Sequence, residues 1–127
     1  MACVLAIAAC APLHESICKG GEQTAIQESL YFGTAKPSGP VTSQEWVEFL
    51  ETIVTPRFPQ GLTAFEGSGQ WRGADGAIVR ESTHVLLLVH PNDAASENAV
   101  GEIVARYKLQ FQQEAVLRVK ARICVSF

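Results

Sequence analysis

Residues 61–90, GLTAFEGSGQWRGADGAIVRESTHVLLLVH, contain two strand-like stretches on either side of a polar turn, and they decide the fold. Residues 61–71 alternate loosely between apolar and polar, and Gly67 and Gly69 indicate a bent or bulged strand. Residues 77–90 form a longer strand that ends in an aliphatic run. Because 73–76 read Gly-Ala-Asp-Gly, which is typical of tight turns, the sequence predicts a central β-hairpin.

A strand and a helix are predicted upstream of the hairpin. Residues 26–35 carry an apolar run that stops at a Pro- and Gly-rich loop, which indicates a strand. Thr42 and Glu45 have the spacing of a capping box, in which each side chain accepts a hydrogen bond from the other residue's backbone. Apolar residues follow at helical spacing, and Pro56 ends the pattern, so a helix is expected between Thr42 and Pro56.

A second helix and a last strand are predicted downstream. Asp93 can cap a helix whose apolar face runs from Val100 to Phe111 at helical intervals. Residues 115–127 alternate again, with Arg118, Lys120 and Arg122 on the side opposite the aliphatic residues. The element order βαββαβ predicts an α+β, ferredoxin-like sandwich, with a four-stranded antiparallel sheet and both helices on one face.

The N-terminus resembles an export signal. Residues 1–13 are almost entirely apolar, too short to span a bilayer, and contain Ile7-Ala8-Ala9-Cys10, which resembles a bacterial lipobox. The expected organisation is a signal remnant at 1–9, a lipidated Cys10, a polar tether at 10–25 and the folded domain at 26–127. No Lys or Arg lies within residues 1–13, so a start site further upstream, a plain secretory signal and a chance Ala-rich start remain alternatives.

The signal predicts the localisation and the membrane contact. We expect the protein on the periplasmic side of the cell envelope, either lipid-anchored or secreted, with the N-terminal lipid as its sole membrane contact. Cys3 would leave with the signal and Cys10 would carry lipid, which leaves Cys18 and Cys124. In an oxidising compartment these two can pair in a disulfide or remain free thiols. No local cysteine or histidine spacing is typical of metal ligation, so no metal site is predicted.

The composition excludes several classes of function. A chain of 127 residues supports one domain, and its 10 Lys and Arg against 13 Asp and Glu give a net charge of −3. Nucleic acid binding requires a basic surface, so it is not expected. Phosphate-loop and nucleophile-elbow motifs are absent from the sequence, and no cofactor is predicted.

The uncovered face of the sheet is the candidate functional surface. A turn centred on Ala74-Asp75 would pair Trp71 with Ile78 and Phe65 with His84 across the hairpin. The residues then predicted on the open face are Phe65, Trp71, Arg80, Ser82, His84, Leu86, Leu88, Arg118 and Lys120. A register one residue different would exchange the two faces.

Three interpretations of this face remain open. The residues can be ordinary strand and solvated side chains; the apolar stripe can be covered by a second copy in a homodimer; or the face can hold a ligand or catalytic site. In the site hypothesis Phe65 and Trp71 line a ligand pocket. Arg80 and Arg118 bind an anionic group of the ligand, and His84 acts as acid or base. Glu114 is a further candidate base. The sequence favours a binding or structural module over an enzyme.

Several segments together resemble a known family. The runs Leu30-Tyr31-Phe32-Gly33, TPRFPQGLT at 55–63, GQWR at 69–72 and QEAVLR at 113–118 resemble the bacterial domain of unknown function DUF3574 over residues 30–127. The resemblance implies a small bacterial protein and carries no known activity or catalytic residue.

Overall fold

The computed structural model describes residues 17–127 and has the predicted βαββαβ order. The four strands form one antiparallel sheet in the order β2-β3-β1-β4, so β1 and β3 are central. This confirms the ferredoxin-like α+β fold. The elements are β1 (Gln23–Gly33), α1 (Ser43–Phe49), β2 (Thr63–Arg72), β3 (Ile78–His90), α2 (Ala94–Gln110) and β4 (Leu117–Val125).

The first strand begins earlier than predicted. β1 starts at Gln23, which pairs with Val125, so residues 23–25 belong to the sheet rather than to the predicted tether. Gln23 and Thr24 are polar, so the apolar pattern does not indicate this extension of β1. They pair with the edge strand β4 through backbone hydrogen bonds, which any residue type can form. The predicted signal remnant 1–9 and lipidation site Cys10 lie outside the described residues.

Both helices begin at capping residues that the sequence indicates. The backbone N–H of Glu45 donates to the Thr42 hydroxyl (3.1 Å), and the Thr42 N–H donates to the Glu45 carboxylate (2.7 Å). This confirms the capping box. The backbone hydrogen bond from Thr42 is the main cause that lowers the pKa of Glu45. Asp93 caps α2 by accepting from the Ser96 N–H (2.7 Å), and a π-helical turn, Leu50–Val54, extends α1 towards Pro56.

The core lies between the helices and one face of the sheet. Leu30 and Phe32 of β1 and Leu86 and Leu88 of β3 are buried against the helices. The helical layer contributes Trp46, Phe49, Val54, Val100, Ile103, Tyr107 and Phe111. Even-numbered residues of the two central strands therefore face the helices.

A disulfide joins the N-terminal segment to the last strand. Cys18 is bonded to Cys124 of β4, 106 residues away in sequence, with a Cα–Cα distance of 5.4 Å. Of the two alternatives for these cysteines, the structure has the pairing. Within residues 17–127, no helix combines the length and apolar character needed to cross a bilayer.

Candidate functional site

The hairpin register differs by one residue from the prediction, and this moves the five β3 residues predicted on the open face to the helix side. Trp71 pairs with Val79 instead of Ile78, because the turn is centred on Asp75. Three hydrogen bonds in the turn fix this register. The Gly73 N–H donates to the Ala77 carbonyl (2.9 Å), the Gly76 N–H to the Gly73 carbonyl (3.0 Å) and the Ala77 N–H to the Asp75 carboxylate (2.9 Å). As a result, β3 presents its odd-numbered residues on the open face.

His84 and Arg80 therefore lie on the helix side of the sheet, and their predicted place beside Trp71 was wrong. His84 is buried, and its ring stacks on Trp46 with centroids 4.4 Å apart. Burial lowers the pKa of His84, and the Glu66 carboxylate, 3.9 Å from Nδ1, opposes this effect. Arg80 is exposed on the same side. Ser82, Leu86 and Leu88 share this face, because they alternate with the open-face residues of β3.

Arg118 and Lys120 also lie on the helix side, because β4 pairs Arg118 with Leu30 of the core. Arg118 donates two hydrogen bonds, of 3.0 and 2.6 Å, to Glu28, whose side chain is fully buried. These bonds raise the pKa of Arg118. Lys120 and Arg118 both contact Glu97 of α2. Arg118 thus forms an ion pair on the helix side, and its predicted position on the open face was wrong.

Phe65 and Trp71 do lie on the open face, and Trp71 borders a cavity of about 400 Å³ there. Residues 65, 67, 69 and 71 of β2 share this face, but Gly67 and Gly69 have no side chains. The missing side chains leave a hollow between the two aromatic residues. The residues that line it are Tyr31, Gly33, Gly67, Ser68, Gly69, Gln70, Trp71, Glu81, Thr83, Val85, Gln113, Ala115 and Leu117.

Gly67 and Gly69 shape the cavity differently. A Cβ atom on Gly69 would collide with the Thr83 hydroxyl, so any larger residue at this position would force the Thr83 side chain to shift. A Cβ on Gly67 would meet nothing within 4 Å. Gly67 is therefore free to accept a side chain, which would project into the cavity.

Glu81 is the charged residue of the cavity. Its carboxylate accepts hydrogen bonds from the Trp71 indole N–H (2.6 Å) and from the backbone N–H of Ala35. The Gln113 amide donates to the Ala35 carbonyl (2.7 Å), so β3, the loop after β1 and the loop after α2 meet here. No motif or spacing in the sequence points to Glu81. With the correct register, its alternation with Val79, Thr83 and Val85 would have placed it on the open face.

A buried tyrosine lies behind this corner. The Tyr107 hydroxyl donates to the Gly33 carbonyl (2.9 Å). Burial raises the pKa of Tyr107, and the Glu81 and Glu45 carboxylates raise it further. The hydroxyl therefore stays a neutral donor that fixes the end of β1. Glu114, the other predicted base, is exposed and is not among the lining residues, whereas its neighbour Gln113 is.

The comparisons with known proteins give a family and a fold. The family model described as "Protein of unknown function (DUF3574)" matches residues 27–127. No protein of curated function matches the chain. A phage SAM lyase in complex with S-methyl-5'-thioadenosine is similar in structure, with a TM-score of 0.62 at 14% identity, covering 89% of this chain and 95% of that one. CutA from Synechococcus elongatus has a TM-score of 0.53 at 12% identity, covering 88% and 87%.

Proposed function

The chain belongs to the DUF3574 family, whose function is unknown, and from that premise we propose that it is a small-molecule-binding protein whose open-face cavity holds a nucleoside-sized ligand with a flat ring. The observation that carries the proposal is the hollow that Gly67 and Gly69 leave beside Trp71. Its volume of about 400 Å³ falls in the range of ligand sites. The aromatic rings of Trp71 and Tyr31 supply the stacking surface that such a ring requires.

The choice of probe follows from the fold. A phage protein of similar fold binds S-methyl-5'-thioadenosine. This compound has a flat purine, a ribose and a small apolar thioether, which suit a mostly apolar cavity with few polar groups. We therefore use it as the probe for the proposed site.

The experiment is a calorimetric titration of the full chain with S-methyl-5'-thioadenosine. Saturable binding of one molecule per chain is expected, with at least a tenfold loss in Gly67→Leu, because the Cβ of the new residue meets no protein atom within 4 Å and its side chain would occupy the hollow. The matched control is Gly101→Leu in α2, another glycine with open space around it. No saturable binding, or equal losses in both variants, would overturn the proposal.

A second proposal concerns the rest of the open face: a second copy of the chain covers it. Phe65, Val89, Leu117 and Val119 are 51, 49, 60 and 48% exposed there. Among the described strand residues of this face, Glu81 is the charged one, so two copies can meet without like-charge repulsion. Four strands about 4.8 Å apart and roughly 30 Å long present about 600 Å² per copy, near the roughly 800 Å² of stable complexes.

Sedimentation tests this self-association. Val119→Lys places a charge on the open face and should shift the wild-type dimer towards monomer. Val47→Lys is the matched control, because Val47 is 49% exposed on α1 and Val119 is 48% exposed. A wild-type chain that stays monomeric at high concentration, or one that both variants affect equally, contradicts the proposal.

The third proposal is that Cys10 carries a lipid that anchors the protein on the periplasmic side of the envelope. The lipobox-like Ile7-Ala8-Ala9-Cys10 supports it, and so does the Cys18–Cys124 disulfide, since such bonds persist in oxidising compartments. Labelled palmitate should enter the wild-type chain and not Cys10→Ser, whereas Cys3→Ser should leave the labelling unchanged. A wild-type chain without label would refute the anchor.

A further inference from the structure

Resting on the proposed ligand cavity, we infer that the ligand carries a positive charge next to its flat ring, as a sulfonium or ammonium group that Glu81 recognises. The cavity combines one carboxylate with aromatic rings and contains no Lys or Arg among its lining residues. A carboxylate and the faces of aromatic rings both attract cations. Phosphate-bearing ligands are disfavoured for the same reason, since nothing in the lining would neutralise them.

The Glu81 carboxylate is held in place by two hydrogen bonds and can accept more. An ionised carboxylate offers about four acceptor positions, and the Trp71 and Ala35 N–H groups occupy two of them. Gly33 lies so close that a Cβ atom there would collide with the carboxylate. The group is therefore fixed by β1 and β2, and its remaining acceptor positions are available to a ligand in the cavity.

Four glutamates of the fold have a Lys or Arg partner, and the other described carboxylates without one are exposed, whereas Glu81 is half-buried. Glu28 is paired with Arg118, Glu45 with Lys36, Glu97 with Lys120 and Glu102 with Arg57. Within residues 17–127, no salt bridge is formed by Glu81.

The register explains why the nearby cations do not reach Glu81. Arg80 is its neighbour in β3 and lies on the helix side, as do Arg118 and Lys120 of β4. The Glu81 carboxylate is half-buried in a mostly apolar hollow. A cation on the ligand would be attracted to it more strongly there than in bulk water, because both charges are partly removed from water.

A matched pair of ligands tests the charge directly. S-methyl-5'-thioadenosine and 5'-deoxy-5'-dimethylsulfonioadenosine differ by one methyl group and one positive charge at sulfur. The wild-type chain should bind the sulfonium at least tenfold more tightly than the thioether. In Glu81→Gln this preference should fall to within about twofold, while the thioether still binds.

Glu66→Gln is the matched control, because Glu66 lies on the neighbouring strand with its side chain on the helix side, and it should keep the full preference. Equal affinities in the wild-type chain, or a preference that survives in Glu81→Gln, would overturn the inference and leave the proposed function standing. If neither compound binds, the proposed function fails, and the inference fails with it. The wild-type ratio alone decides the inference if Glu81→Gln does not fold.

Discussion

The two faces of the sheet differ in how many charged side chains they carry and in whether these are paired. The helix side contains the ionic side chains: Glu28 is fully buried there, yet it receives two hydrogen bonds from Arg118. The open side has Glu81 in a mostly apolar surface that includes exposed Val89 and Val119. Buried charges are tolerated when each is paired. Exposed apolar side chains without a structural role indicate a surface that meets something else.

The largest effect is expected at the disulfide, which attaches the N-terminal segment to the helix side of β4. Replacing Cys18 and Cys124 by Ser should lower the free energy of unfolding by about 4 to 5 kcal/mol, because the bond closes a loop of more than 100 residues in the unfolded chain. Urea unfolding measures this. Adding a reductant should destabilise the wild-type chain equally and leave the double variant unchanged; an effect below about 1 kcal/mol would contradict the prediction.

The next effect concerns the ion pair on the helix side. Arg118→Met should destabilise the fold by about 3 kcal/mol, because it removes the bidentate partner of a buried carboxylate. Combining it with Glu28→Leu should recover most of the loss, since no buried charge then remains unpaired. Arg80→Met, an exposed arginine on the same face, should change stability by less than about 0.5 kcal/mol. Urea unfolding of the three variants compares them, and a double variant no more stable than Arg118→Met would argue against the pair.

A smaller effect should appear as a pH dependence from His84. Burial against Trp46 depresses its folded-state pKa below the unfolded value of 6.5. The unfolded chain therefore takes up the proton first on acidification, so stability that is complete above pH 6.5 falls as the pH drops below it. His84→Phe retains an aromatic ring and should flatten this part of the profile. Unfolding curves at several pH values test this, and an unchanged slope would exclude His84 as the cause.

The smallest effect should be on the open face. At concentrations low enough for monomers, Val119→Lys should change the free energy of unfolding by less than about 0.5 kcal/mol, because the side chain is already about half exposed. Val47→Lys on α1 gives the comparison on the opposite side of the molecule. A loss of more than about 1.5 kcal/mol at low concentration would mean that Val119 is packed within the monomer.

Local signals predicted most of the fold. The capping box at Thr42 and Glu45, the Asp93 cap and the apolar spacing from Val100 to Phe111 each act within a few residues, and all three lie where the helices begin or pack. The alternation in β2 also placed Trp71 on the correct face. These patterns are readable because their causes, capping hydrogen bonds and side-chain periodicity, are local in sequence.

The candidate site was only half predictable. His84 and Arg80 were placed on the wrong face, because a turn centred on Asp75 rather than between Ala74 and Asp75 reverses every side chain of β3 relative to β2. Glu81 was missed for the same reason. A single residue in a turn thus decided whether the cavity contains a carboxylate or a histidine and an arginine. Arg118 was misplaced for another reason: β4 pairs it with Leu30, so the aliphatic side of β4 faces the open side of the sheet.

By itself the sequence determined the element order, the helix caps and the ferredoxin-like class, since these follow from periodicity and capping along the chain. Tertiary structure alone decided which residues of β3 and β4 face the helices, how Glu28 is paired, and that Gly67, Trp71 and Glu81 surround one hollow. The physical reason is that strand register depends on hydrogen bonds in the turn and on competition between two faces for the core. Both faces of β3 carry apolar residues near its C-terminal end, so its composition does not show which face packs against the helices.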